Sequence, residues 1–160
     1  MTFTLRRGTL DDIPGMVDVW YRGFNSPEML SIFPDSLPTR AWVTESIVSG
    51  MKDEAENTVY MVMTDDDKNG KVVSFAKWII QPSGAPVPAW NKRWPSKVAE
   101  DMSETVIDEH FFEPMARQHA RATGDRAHYC EKAIMSSDCC SRRLRLICLT
   151  GSPRSVSDSR

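Results

Sequence analysis

Polar and apolar residues alternate through Phe3–Thr9 (FTLRRGT), which predicts a first strand near residues 3–8. The period then lengthens. In LDDIPGMVDVWYRGF, Ile13, Met16, Val17, Trp20, Tyr21 and Phe24 fall on one helical face. Asp11 or Asp12 can cap that helix and Pro14 suits its first turn, so it is predicted near 12–24. NSPEMLSIFPDSLP contains three prolines and reads as a loop whose apolar residues cover something. Thr39 is the expected cap of a second helix near 39–52, with Val43, Ile47 and Met51 on one stripe.

NTVYMVMT is β-branched and aromatic, which predicts a strand near 57–64. DDDKNG is turn chemistry, and KVVSFAKWII predicts the second strand of an antiparallel hairpin near 71–80. Both faces of that second strand are largely apolar, as in a strand inside a sheet. QPSGAPVPAWNKRWP, with four prolines, is a loop that Trp90 and Trp94 are expected to pin to the body. A helix follows near 97–121 with an expected break at Pro114, and DRAHY opens another strand. The order β–α–α–β–β–insert–α–β predicts an α/β (α+β) fold with a mixed, mostly antiparallel sheet flanked by helices.

The chain has 160 residues, 41% hydrophobic and 26% charged, which are the values of one globular domain. Its net charge of −2 hides a split: residues 1–129 carry 14 Lys/Arg against 19 Asp/Glu, whereas 130–160 carry 6 against 3. The acidic body argues against a nucleic-acid or anionic-membrane partner. No apolar run approaches the ~20 residues of a membrane span, and Met1 is not followed by a signal-peptide core. A cytoplasmic location is the plain expectation. All four cysteines lie at Cys130, Cys139, Cys140 and Cys148, and none of the five tryptophans does so late in the chain. The chain is therefore divided at residue 129, into a body (1–129) and a basic Ser/Arg/Cys-rich tail (130–160).

Several chemistries are excluded by spacing. His110, His119 and His128 stand nine residues apart, never on adjacent helical turns, and read as surface or boundary residues. The cysteines form no Cys-x-x-Cys pair, so no metal is expected. Asp65–Asp67 lacks the distal glutamate of a calcium loop and reads as a hairpin tip. The eight glycines are never closer than seven residues, which excludes a Gly-x-Gly or P-loop phosphate cradle. Trp20, Phe24, Trp42 and Trp78 are core candidates first. Phe24, Phe33 and Trp78 are the candidates for lining a substrate cleft.

The element order, the opening FTLRRGTLDDIPGMVDVWYRGF and the strand KVVSFAKWII before an insert resemble the GNAT superfamily of acyl-CoA-dependent N-acetyltransferases. The Trp/Pro-rich insert and long helix resemble a branch common in filamentous fungi. The resemblance covers residues 3–129 and implies acetyl-CoA as co-substrate and a small-molecule or peptide amine as acceptor. In that family a strand beginning like RAHY leads to Gln/Arg-x-x-Gly-x-Gly/Ala at a helix start, whose N–H groups hold the coenzyme pyrophosphate. This chain reads CEKAIMSSDCCSRRLRLIC there. No catalytic or coenzyme-binding residue is carried over.

Three expectations follow. The sequence after residue 129 reads first as a frame or splice change and second as a genuine lineage-specific tail, leaving in either case a partial fold without its C-terminal half. The strand at 71–80 then exposes an apolar edge that a partner covers, so a non-catalytic remnant or interaction protein stands as the alternative to an enzyme. The tail is expected to be the least ordered region, except that RLRLICLT (143–150) alternates well enough for an improvised strand.

Overall fold

The computed structural model describes residues 2–53, 57–81, 94–123, 128–136 and 148–149. Five strands, β1 (Phe3–Arg7), β2 (Thr58–Asp65), β3 (Lys71–Gln81), β4 (His128–Ser136) and β5 (Cys148–Leu149), form one sheet in that order. Every adjacent pair is antiparallel. The fold is thus mixed α+β, with helices α1 (Ile13–Gly23), α2 (Pro27–Ile32), α3 (Leu37–Asp53), α4 (Glu104–Ile107) and α5 (Glu113–Thr123). A π-helical turn, Asp108–Phe112, joins α4 to α5.

All six apolar residues expected on one face of α1 are buried. They pack with Val43 and Ile47 of α3 against Tyr60, Val62, Val72 and Phe75 of the sheet. Strand periodicity then separates the two sheet faces. Tyr60 and Val62 pair with Lys77 and Phe75 on the helix side, while Met63, Met61 and Val59 pair with Ser74, Ala76 and Trp78 on the other. Leu5 pairs with Met63 on that second face and is 64% exposed; Phe3, two residues earlier, is 47% exposed.

The interior position expected for β3 is observed, because β4 pairs with it from Ser74 to Gln81. That pairing overturns the open edge expected at β3. Strand β4 runs through Ser136, so regular structure crosses the compositional boundary at residue 129. Cys148–Leu149 forms a strand inside the span expected at 143–150; the rest of that span, like Trp90, lies outside the described residues.

Four local expectations are corrected. The segment read as a loop contains α2, because Ser26 Oγ accepts the Met29 N–H (3.3 Å) and Pro27 occupies the first turn, where its missing N–H costs nothing. Helix α3 starts at Leu37, with Ser36 Oγ accepting the Thr39 N–H (3.2 Å). Thr39 is therefore inside the helix, fully buried, and donates to Asp101 Oδ1 (2.8 Å) instead of capping. The last helix begins at Glu104, capped by Ser103, and Pro114 does not break it. The π turn immediately before Pro114 widens the backbone where the ring has no N–H to give and needs room.

Gly15 marks a close approach of α1 to the sheet. A Cβ there would lie 2.9 Å from the Cβ of Val72 on β3, an atom that no side-chain rotation can move away. Gly15→Ala should lower stability by about 1–2 kcal/mol despite the better helix propensity of alanine, since overpacking outweighs it. Urea unfolding with an unchanged or higher midpoint would contradict this packing.

Candidate functional site

The insert returns to the body at Trp94. Its indole stacks on Trp42 of α3, with ring centroids 4.9 Å apart and planes 4° from parallel. Trp20, Phe33, Phe111 and Phe112 surround the pair at 5.8–6.4 Å from Trp94. Trp42 Nε1 donates to the Lys97 carbonyl (3.0 Å), which fixes the connection before α4. A cavity of about 270 Å³ opens beside the stack, walled by Trp42, Trp94 and Phe112 and by the carboxylate-bearing residues Glu104 and Asp108.

The three cleft candidates do not meet in one place. Phe24 and Phe33 are buried against Trp20, at 4.4 and 5.9 Å. Trp78 is half-buried on the face of the sheet turned away from the helices. Trp20 Nε1–H is buried and finds no acceptor among the described residues. Sequence reasoning missed the site residues Trp94, Glu104 and Asp108 as a group. Their only signal was the i, i+4 spacing of two acids, which any solvated helix face shares.

Electrostatic pins hold the helices beneath this site. Arg40 of α3 pairs with Asp35, and with Asp18 of α1 at 3.0 Å, while its guanidinium lies 4.5 Å above the Tyr21 ring. Those acids, Asp35 first, raise the Arg40 pKa. Burial, and then Asp35, push the Tyr21 hydroxyl up to about 12, so it stays protonated and donates to the Pro34 carbonyl (3.2 Å). Asp101 accepts from Ser36 and Thr39, which lower its pKa and tie the connection before α4 to the start of α3.

Asp12, expected to cap α1, turns back instead. It accepts both Nη groups of Arg6 at 2.7 Å and the N–H and hydroxyl of Thr9 at 2.8 and 2.9 Å. His119, expected near the surface, is buried on α5 because its position faces the core side of that helix. On the same helix Arg117, Gln118 and Arg121 border a cleft of about 940 Å³. Neither guanidinium has an ion-pair partner among the described residues. Among those residues no group of three or more His, Cys, Asp or Glu could hold a metal, and no helix is long and apolar enough to cross a membrane.

No family model and no curated protein matches the chain. Among solved structures it is similar to one described as histone acetyltransferase HPA2 and related acetyltransferase from Corynebacterium glutamicum, with 20% identity and a TM-score of 0.37 over 78% of this chain and 74% of that one. It is also similar to an N-acetyltransferase from Staphylococcus aureus (15%, TM-score 0.37, 81% and 74% covered). A third is a GCN5-related N-acetyltransferase from Ralstonia eutropha (14%, TM-score 0.30, 78% and 79% covered). These are distant likenesses.

Hydrogen bonding from Arg6 is the main cause that lowers the Asp12 pKa to about 2; burial opposes it, and the hydrogen bonds from Thr9 add to the lowering. A depressed carboxylate contributes its full stability above the ordinary value near 4 and loses it as pH falls through the folded value. Asp12→Asn should cost about 1–3 kcal/mol near neutral pH, toward the lower end because Arg6 is 41% exposed. The variant should also lose part of the wild-type decline in stability between about pH 4 and pH 2. Urea midpoints measured across that range check both outcomes.

Proposed function

We propose that this chain is an N-acetyltransferase by descent, transferring an acetyl group from acetyl-CoA to an amine, with coenzyme binding impaired. The observation that carries the reading is the element order: β1, the helical layer, the antiparallel β2–β3 hairpin, the insert with its long helix, and β4 laid against β3. It is the order on which the resemblance to the GNAT superfamily rests. In the reaction the amine nitrogen attacks the thioester carbonyl, the C–S bond breaks, and the coenzyme leaves as a thiol after taking up the amine's proton. Positioning of the thioester and stabilisation of the oxyanion supply most of the rate.

Impairment follows from the coenzyme's charge. Its pyrophosphate needs convergent backbone donors or cations, and a chain whose glycines are never closer than seven residues has no Gly-x-Gly loop to supply them. Arg117 and Arg121 beside the α5 cleft, without an ion-pair partner among the described residues, are the side chains best suited to replace those donors. Side-chain cations hold phosphate without fixing the thioester, and misplacement alone costs roughly 100-fold in rate.

The missing loop is also the observation that favours a second reading, a non-catalytic interaction protein derived from such an enzyme. In that reading the partner covers exposed sheet surface at Phe3 and Leu5.

Isothermal calorimetry of the full chain with acetyl-CoA should give binding no tighter than about millimolar, a few kcal/mol short of a built coenzyme site. Arg117→Glu combined with Arg121→Glu should abolish what remains. Micromolar binding would overturn the impairment. Complete absence of binding in the wild type, with no acetylation of any amine offered, would favour the non-catalytic reading.

A further inference from the structure

The cavity beside the Trp42–Trp94 stack has a composition that the acetyl-transfer reading does not use. Its walls include two indoles and the Phe112 ring, and its volume of about 270 Å³ lies at the lower edge of small-molecule sites. Glu104 and Asp108 stand four residues apart on the same helical face and both border this space. Neither carboxylate has a hydrogen-bond or ion-pair partner among the described residues. Two like charges at that spacing repel each other, and a cation between them would relieve the repulsion.

The alternatives fit less well. An anion would meet two carboxylates. A hard metal ion needs around six oxygen donors, and two carboxylates beside indoles do not provide them. A neutral apolar molecule gains nothing from Glu104 and Asp108. A weakly hydrated organic cation fits the lining better: the aromatic and apolar residues accept its methyl groups, and the carboxylates neutralise it.

We propose that this cavity binds a small quaternary ammonium group through Trp42, Trp94 and Phe112, with Glu104 and Asp108 as counter-charges. The site is separate from acetyl transfer, since a quaternary nitrogen has no lone pair to attack a thioester. Binding therefore needs no acetyl-CoA and stands or falls independently of the enzyme reading.

The test uses the full chain at low ionic strength, with tetramethylammonium chloride as probe. Sodium chloride at matched ionic strength and tert-butanol, a neutral molecule of similar size, serve as controls. Tetramethylammonium should quench tryptophan fluorescence saturably and shift the indole N–H resonances of Trp42 and Trp94, while neither control does so. Glu104→Gln combined with Asp108→Asn should weaken binding about tenfold, the loss expected for two partly solvated charge contacts. Because neither carboxylate holds a partner among the described residues, the double variant should keep the wild-type circular dichroism spectrum. Absence of saturation, equal binding of tert-butanol by the wild-type chain, or unchanged affinity in the folded double variant would each overturn the proposal.

Discussion

The contact between Trp42 and Trp94 organises more of this molecule than any other single interaction. It joins a helix from the first third of the chain to the point where a proline-rich insert returns. Stacked at 4.9 Å and ringed by Trp20, Phe33, Phe111 and Phe112, the two indoles bury large apolar surfaces in a geometry that their quadrupoles favour. Once Trp94 is fixed there, the Trp42 N–H reaches the Lys97 carbonyl, and α4 and the π turn close over the cluster. The cavity exists because that closure is incomplete on the side where Glu104 and Asp108 stand.

Polar contacts then select one arrangement of the helices around the aromatic cluster. Arg40 meets acids from α1 and from the α2–α3 connection while covering the Tyr21 ring, so one side chain fixes three segments. Ser36 and Thr39 reach forward to Asp101, more than 60 residues away in sequence. Arg6 and Asp12 do the same locally at the junction of β1 and α1. Most of these groups are partly exposed, so each adds little to stability. Their effect lies in specifying register and orientation, which apolar packing alone leaves loose.

The sheet shows how a compositional boundary and a structural boundary can differ. The vocabulary of the chain changes at Cys130, yet β4 continues from His128 to Ser136 and pairs with β3 throughout. Backbone hydrogen bonding is indifferent to side-chain identity, so a strand can extend across a change in composition wherever a neighbouring edge is free to receive it. A phosphate-binding loop is different, because it depends on glycines at fixed offsets.

The sequence by itself determined the strands of the β2–β3 hairpin, the buried face of α1 and the interior position of β3. Each rests on a short-range period that burial imposes directly on residue order. It also determined the absence of a glycine-rich phosphate cradle, which is a matter of spacing alone. The true cap of α3 and the existence of α2 were locally encoded in Ser36 and Ser26 but hidden by the prolines beside them. Only the tertiary structure decided that Trp94 stacks on Trp42, that Phe24 and Phe33 lie on the opposite side of the sheet from Trp78, and that Glu104 and Asp108 border an aromatic cavity. Those juxtapositions depend on where the chain returns in space after a long insert. Side chains brought together across some 50 residues leave no periodic trace, because only the folded core, filling its volume, fixes which of them meet.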